Sequence, residues 1–186
     1  MKLKCSVYMA MSIDGFIARA DGDITWLHDP TYGVPDNLAL EYKDFVATVD
    51  ALVMGRHSFE KVLSFGQWPY DSTPVVVLSS KTLEFPEKLK SKVSQASGTP
   101  RDIVSQLEAE GKRHLYIDGG VTTQHFLRAG LITEMTVTYI PILLGSGIPF
   151  FGTLDRATTL THIETSSSSN GFVQSRYKVE QATYYA

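Results

Sequence analysis

The sequence predicts an α/β protein with a mostly parallel central sheet, helices on both faces and an antiparallel hairpin at its C-terminal end. Three observations lead to this fold class. Strand-like and helix-like segments alternate, several strand-like runs are continuously apolar, and an Asn-Gly pair separates two alternating segments in the tail. Continuously apolar runs are typical of parallel strands buried on both faces, whereas Asn-Gly favours a tight hairpin turn. We expect the 186 residues to form one domain, residues 1–186.

The first half of the chain supplies three strands and two helices. A first strand is predicted from Leu3 to Ile13, and Asp36 is positioned to cap the helix that follows. Ala51–Met54 and Pro74–Leu78 are short apolar runs of the kind found in buried strands, with a short helix over His57–Ser64 between them. Such alternation is typical of a parallel sheet.

The second half continues this alternation before the tail changes character. The elements predicted here are a helix that begins after Thr99 and ends at Gly111, a strand over His114–Ile117, a helix over Gln124–Ala129, a β segment over Glu134–Leu144 that is interrupted at Pro141, and hairpin strands over Leu160–Glu164 and Phe172–Glu180. A further strand just before Thr99 stays open.

Composition limits the classes of partner. The net charge is −3 and the 17 Lys and Arg residues are scattered, which argues against a nucleic-acid surface. No apolar run approaches the roughly 20 residues of a membrane span. The single Cys5 rules out a disulfide scaffold, and the five histidines lack metal-ligand spacing. We expect a cytoplasmic protein that binds a small molecule, with no metal, nucleic-acid or membrane partner.

A glycine pair carries the strongest functional signal. The apolar run Leu115–Ile117 leads into Asp118, then Gly119-Gly120, then an apparent helix start. Glycines allow the backbone to approach a ligand closely, and a helix N-terminus attracts an anion. The pattern predicts a phosphate cradle, although a glycine pair at a strand-to-helix turn also occurs for packing alone.

Two further strand ends carry residues suited to a phosphate. Met54-Gly55-Arg56-His57-Ser58 follows one buried strand, and Leu78-Ser79-Ser80-Lys81 follows the next. Ligands of open α/β sheets bind at the carboxyl ends of the strands. A guanidinium beside hydroxyls is suited to the 2′-phosphate of NADP, although a single arginine at a strand end is often simply solvated.

The first strand ends in a loop that has the composition of a lid. Asp14-Gly15 follows the strand directly, and Trp26 lies further along the same connection. A glycine-containing loop can fold over a ligand, and Trp26 would then supply a flat apolar wall. The alternative is a surface loop whose tryptophan packs into the core.

These motifs, in this order, resemble the dihydrofolate reductase superfamily. The segment from Tyr139 to Phe151, with its Pro141 and Gly145-Ser146-Gly147, is similar to the reductase domain of the bifunctional riboflavin-biosynthesis deaminase/reductase. The resemblance covers nearly the whole chain. It implies a dihydrofolate-reductase-like fold, NADPH as cofactor, and a homodimer formed through the Val137–Leu144 segment and the tail hairpin.

The resemblance also implies a cofactor pose. Backbone groups of Ala10 and Ile17 would hold the nicotinamide carboxamide. The residues implied for the pyrophosphate are Gly119, Gly120, Val121, Thr122 and Thr123, and those for the adenosine half and its 2′-phosphate are Gly55, Arg56, His57, Ser58, Leu78, Ser79 and Ser80. A cis peptide bond is expected at the glycine pair, either before or after Gly119.

The substrate half is predicted by analogy with dihydrofolate reductases. There a carboxylate precedes a ring-stacking phenylalanine by four residues, a spacing that Glu41 and Phe45 reproduce on one helix face. Thr138 would be the facing hydroxyl. Asp36 and Asp44 compete for the role of Glu41, and a solvated Glu41 is an equal alternative. The long segment between Trp26 and this helix departs from the dihydrofolate reductase pattern and argues against folate.

The expected function is therefore an NADPH-dependent reduction of a small heterocycle, similar to that of 5-amino-6-(5-phosphoribosylamino)uracil reductase. Glu41 or water would supply the proton. The chain lacks the zinc signature of the deaminase half. The alternatives are a dihydrofolate or pterin reductase and an NADP-binding module without catalysis.

Overall fold

The computed structural model describes residues 3–180 and contains ten strands and four α-helices in that range. The strands are β1 (Lys4–Ser12), β2 (Phe16–Ala18), β3 (Ala51–Gly55), β4 (Val75–Leu78), β5 (Val93–Ala96), β6 (His114–Asp118), β7 (Glu134–Ile140), β8 (Ile148–Pro149), β9 (Leu160–Ser167) and β10 (Val173–Val179). The helices are α1 (Tyr42–Val46), α2 (Arg56–Ser64), α3 (Pro100–Ala109) and α4 (Gly120–Arg128). The terminal residues of the predicted domain lie outside this range.

The central sheet has eight strands in the order β5-β4-β3-β6-β1-β7-β10-β9. The strands from β5 to β7 run parallel, and β10 is antiparallel to both β7 and β9. The predicted fold class is confirmed. Parallel pairing follows from the apolar runs, because β3 and β4 bury nearly every side chain and need cover on both faces.

Two apolar clusters cover the two faces of the sheet. On one face Val53 and Ile117 pack with Ile103 of α3 and Phe126 of α4. On the other face the alternate strand residues, such as Met54, pack with side chains of α1 and α2. The side chains of one strand thus point alternately into two cores, which fixes the register of the sheet.

The helix predicted after Asp36 begins only at Tyr42. Gln174 and Tyr8 hold the preceding backbone in a bend at Leu40. Gln174 Oε1 accepts from the Leu40 N–H at 2.7 Å, and Tyr8 Oη donates to the Leu40 carbonyl at 2.9 Å. Asp36 caps no helix. Hydrogen bonds from Ser169 and Ser168 in the hairpin turn lower the pKa of Asp36 to about 2.

Three smaller predictions also change. The β segment predicted to reach Leu144 ends at Ile140, because Pro141 has no N–H to donate. The strand left open before Thr99 exists as β5, at the edge of the sheet. A two-stranded sheet formed by β2 and β8 was not predicted, since each of its strands has at most three residues.

Within residues 3–180 no helix combines the length and apolarity needed to cross a membrane. The same range contains no group of three or more His, Cys, Asp or Glu side chains arranged to hold a metal ion.

Candidate active site

A cavity of about 1110 Å³ opens at the carboxyl edge of the parallel strands, where α2 and α4 begin. It brings together all the predicted cofactor-binding residues except Thr123. These lining residues are Ala10, Ile17, Gly55, Arg56, His57, Ser58, Leu78, Ser79, Ser80, Gly119, Gly120, Val121 and Thr122. Four segments that are far apart in the sequence therefore meet around one space.

The glycine pair forms the tightest wall of this cavity. Gly119 has φ 84° and ψ 142°, and a Cβ there would lie 2.3 Å from Ser58 Oγ. A Cβ on Gly120 would lie 2.9 Å from Ile17 Cδ1 and 3.3 Å from the Pro149 carbonyl oxygen. A side chain at Gly119 would need a strained φ and a shift of Ser58 Oγ, and one at Gly120 would have to displace Ile17 Cδ1. The peptide bonds of the described residues are all trans, so the cis peptide expected at this pair is absent.

The start of α4 is suited to an anion. Its N-cap is Gly119, and no side chain caps the first turn. Because the first N–H groups of a helix lack intrahelical partners and lie at the positive end of its dipole, they favour a phosphate. Thr123, in contrast, is fully buried beneath the helix, and its Oγ1 has no hydrogen-bond partner in the protein. The Thr123 side chain therefore does not line the cavity, and its predicted contact with the pyrophosphate stays a prediction.

Arg56 lies in the cavity but already has a partner. Its Nη1 contacts Glu60 Oε1 at 3.0 Å, one turn further along α2. Glu60 Oε2 also lies 3.3 Å from His57 Nδ1, and Glu60 itself lines the cavity. The carboxylate therefore faces both side chains that were predicted to hold the 2′-phosphate.

Hydrogen bonds shape the serine turn after β4. Ser79 Oγ donates to the Lys81 carbonyl at 2.7 Å and accepts from the Lys81 N–H at 3.0 Å. Gln95 Nε2 donates to the carbonyls of both residues. Ser79 thus fixes the turn, whereas Ser80 is exposed beside it.

The predicted substrate residues lie away from the cavity. Trp26 is 4% exposed and packs with Ile140 and Phe172, which matches the alternative of a core tryptophan. Phe45 is 4% exposed and stacks on Tyr8 with ring centroids 5.2 Å apart. Thr138 is also buried and accepts a hydrogen bond from Gln174 Nε2 at 3.1 Å. None of these three side chains lines the cavity.

Glu41 is also outside the cavity. It is exposed and forms the N-cap of α1 through its backbone, without a side-chain cap bond. Its competitors Asp36 and Asp44 are exposed as well, and neither lines the cavity. Because the segment bound by Gln174 delays the helix, Glu41 lies at its start rather than on a face directed at the cleft, and its catalytic role stays a prediction.

Three carboxyl residues line the cavity, Asp21, Glu60 and Asp118, and Asp118 is the one that lies at the end of a central strand. It ends β6 and accepts a hydrogen bond from Tyr116 Oη at 3.2 Å. Burial raises the pKa of Asp118, and hydrogen bonds from the Gly119 N–H and Tyr116 partly oppose this shift. The signal was present in the sequence as the residue before the glycine pair, where a buried parallel strand delivers its last side chain to the ligand edge.

Tyrosines surround this carboxyl. Tyr70 lines the cavity, and burial together with the charge of Asp118 raises the pKa values of both Tyr70 and Tyr42. Burial also raises the pKa of Tyr116. These phenols therefore remain protonated near neutral pH, and the inner end of the cavity combines a half-buried carboxyl with an aromatic wall.

A small sheet closes one side of the cavity. β2 pairs with β8, and Ile17 of β2 contacts the glycine pair. Asp14 ties the two loops together, because its carboxylate accepts from the Leu144 N–H at 3.1 Å and the Gly145 N–H at 2.7 Å. The predicted lid loop is thus fixed to the segment around Gly145.

The comparisons agree with this geometry. The family model of the RibD C-terminal domain matches residues 4–173. The chain belongs to the RibD C-terminal domain family. It is 34% identical to the protein YwjB of Bacillus subtilis (strain 168) over 163 residues, which cover 86% of this chain and 89% of YwjB. The RibD C-terminal resemblance predicted from the motifs is therefore confirmed.

Solved structures show the same fold. A protein from Shewanella sp. PV-4, provisionally assigned to riboflavin biosynthesis, is 40% identical with a TM-score of 0.86, over 96% of this chain and 99% of that one. The dihydrofolate reductase of Enterococcus faecalis, solved with NADP(H), is 18% identical with a TM-score of 0.58, over 95% and 96%. The second likeness confirms the dihydrofolate-reductase-like fold.

Proposed function

We propose that the protein is an NADPH-dependent oxidoreductase that reduces a small heterocyclic substrate, similar to 5-amino-6-(5-phosphoribosylamino)uracil. One observation carries this proposal: a single cavity joins a glycine cradle at an uncapped helix start to a half-buried carboxyl at the end of β6. The Gly119–Gly120 cradle is suited to a pyrophosphate. The Asp118 carboxyl is suited to proton transfer to a substrate bound beside the cofactor.

The cavity fits a dinucleotide along its length. Gly119 and Gly120 allow the backbone to approach a phosphate closely, and the N–H groups that follow at the start of α4 would hold it. Arg56 and Ser80 lie toward the 2′-phosphate position, and Ala10 toward the nicotinamide. When bound, the cofactor supplies a hydride, while the chain binds, orients and shields the reacting groups.

Asp118 takes the role first predicted for Glu41. Burial raises the pKa of the Asp118 carboxyl, so its protonated form persists to higher pH than that of an ordinary aspartate and would donate a proton or a hydrogen bond to a heterocycle nitrogen. Tyr116 orients the carboxyl through its hydroxyl. The aromatic wall that includes Tyr70 suits a planar ring.

The positions of Glu41 and Asp118 also argue against the two alternative functions. A dihydrofolate or pterin reductase would need the helix carboxylate in the cleft, but Glu41 lies outside it. A binding module without catalysis gives no role to the half-buried Asp118. We retain the proposal of a cytoplasmic protein with a small-molecule substrate.

We also retain the proposal of a homodimer, with the tail hairpin as the main part of its predicted surface. Val137 is buried in the core and cannot form the interface. Leu160, Ile163 and Val173 in the hairpin strands are partly exposed apolar side chains. Light scattering on the purified protein tests the dimer, and charged substitutions at Ile163 should yield monomers.

A substrate panel tests the function. NADPH oxidation is followed by its absorbance with dihydrofolate, with pterins and with phosphoribosylaminopyrimidines. The proposal predicts turnover with an aminopyrimidine and weaker or no turnover with dihydrofolate. Tight NADPH binding without turnover of any member would favour the binding module, and absence of NADPH binding would reject the proposal.

A further inference from the structure

We propose that Glu60 sets the preference between NADPH and NADH by competing with the 2′-phosphate for Arg56. This inference rests on the proposed function, because it assumes that the adenosine half of a nicotinamide cofactor lies beside the start of α2. It assigns a specificity-determining role to a side chain that no motif above singles out.

The contacts place Glu60 between the Arg56 guanidinium and the His57 imidazole. Its two carboxylate oxygens divide between them, with Oε1 3.0 Å from Arg56 Nη1 and Oε2 3.3 Å from His57 Nδ1. All three side chains line the cavity. The carboxylate therefore uses the donors that would otherwise face a phosphate.

The geometry follows from the helix. Arg56 is the first residue of α2, so Glu60 lies one turn later on the same face. The Glu60 side chain is 49% exposed, and an ion pair this exposed adds little to the stability of the fold. A weak pair of this kind can exchange one anionic partner for another.

NADPH and NADH present different groups to Arg56, His57 and Glu60. A 2′-phosphate needs the guanidinium fork and must displace or approach the carboxylate, which repels it. A ribose 2′-hydroxyl is a donor, and a carboxylate is its usual partner in dinucleotide sites. Glu60 therefore weakens NADPH binding and favours NADH binding. It reduces the preference for NADPH over NADH that Arg56 creates.

The Glu60→Gln variant tests this competition. It keeps the side-chain shape and removes the charge. Dissociation constants for NADPH and NADH are measured by protein fluorescence without any substrate. We expect NADPH to bind roughly tenfold more tightly, since removal of about 1.4 kcal/mol of repulsion corresponds to that factor. NADH should bind equally well or more weakly.

The matched control is Glu87→Gln. Glu87 also pairs with a nearby cation, Lys90, and lies outside the cavity. The control makes the same change in net charge, so it reports any long-range effect on the phosphates. The Arg56→Ala background gives a second check, because there the Glu60→Gln substitution should change NADPH affinity less than twofold if Glu60 acts through Arg56.

The outcomes separate the two levels of the proposal. An unchanged or reduced NADPH to NADH preference in Glu60→Gln, with both cofactors binding the wild type, overturns the competition and leaves the proposed function intact. Failure of the wild type to bind either cofactor overturns the proposed function and this inference together.

Discussion

The amino and carboxyl edges of the central sheet, where its parallel strands begin and end, carry similar polar side chains in different surroundings. At the amino edge, a pocket of about 150 Å³ contains Lys4 and His114, and each has a partner. Lys4 Nζ contacts Glu134 at 2.7 Å, while His114 contacts Ser6 Oγ at 2.8 Å and the Thr48 carbonyl at 2.9 Å. These groups satisfy one another and stabilise the start of the parallel strands.

At the carboxyl edge the polar groups face a cavity of about 1110 Å³ instead. The first turn of α4 has no side-chain cap, and the half-buried Asp118 carboxyl is directed to the same space as Gly119. Groups that are satisfied internally hold a fold together, whereas groups that converge on open space are suited to a ligand. Variants at the carboxyl edge should therefore change binding or turnover, and variants at the amino edge should change stability.

The largest expected effect is on turnover. Asp118→Asn should lower kcat by roughly a hundredfold to ten-thousandfold, the range for removing a general acid, with little change in NADPH affinity. Glu41→Gln serves as the control and should leave kcat nearly unchanged. If Glu41→Gln is the variant that loses turnover, the assignment of Asp118 is wrong.

The pH profile sharpens this prediction. The raised pKa of Asp118 keeps the carboxyl protonated to higher pH than an ordinary aspartate. The protonated form is the donor, so wild-type kcat should fall as pH rises through this pKa. Stopped-flow measurement of hydride transfer across pH would show this limb, and the Asn variant should lack it.

The next effect is on cofactor binding. Gly119→Ala places a Cβ 2.3 Å from Ser58 Oγ at a φ of 84°, which should weaken NADPH binding by roughly a hundredfold through a shifted cradle. Gly111→Ala is matched, with a φ of 90° and no atom within 4 Å of the added Cβ. Both variants should lose about 1 kcal/mol of stability. Equal cofactor affinity in the two variants would place the phosphate site elsewhere.

The contrast between the edges also explains how far the sequence could predict the molecule. Apolar runs and the residues at their ends are local signals, so the parallel sheet and most of the cofactor half were predictable. The Arg56–Glu60 ion pair also follows from the i, i+4 spacing of the two residues on a helix. Glu60, however, belongs to none of the motifs that predict the cofactor site. Asp118 was visible only as part of the glycine motif.

The substrate half depended on contacts that no local pattern reveals. Gln174 fixes the backbone at Leu40 from 134 residues away in the sequence, and this contact decides where α1 begins. Trp26 packs with Ile140 and Phe172 from the last third of the chain, and Phe45 enters the core formed by side chains of β3, β4, β5 and β6. The spacing of Glu41 and Phe45 was correct as a pattern, yet the helix presents Phe45 to the core and Glu41 to solvent.

The smallest expected effect lies at the amino edge. Burial lowers the pKa of His114, with Lys4 adding to the shift while the Thr48 carbonyl, Glu134 and Asp50 oppose it. The folded state therefore resists protonation. The stabilisation that neutral His114 provides is fully present above about pH 6.5, the pKa of histidine in the unfolded chain. It is lost as pH falls below that value and through the lower pKa of the folded state.

His114→Gln tests this sign. The variant should lose about 1 kcal/mol at pH 7.5 through weakened hydrogen bonds to Ser6 and Thr48. Its melting temperature should then fall less than that of the wild type between pH 7.5 and pH 5.5. A steeper fall in the variant would mean that His114 is stabilised in its charged form.

The most direct test of the account is an NADPH titration of the wild type, Gly119→Ala and His114→Gln, followed by protein fluorescence. We predict saturable NADPH binding to the wild type and a loss of roughly a hundredfold in affinity for Gly119→Ala. His114→Gln should bind NADPH with wild-type affinity despite its lower melting temperature. Loss of binding in His114→Gln with retention in Gly119→Ala would contradict the assignment of the carboxyl-edge cavity as the cofactor site.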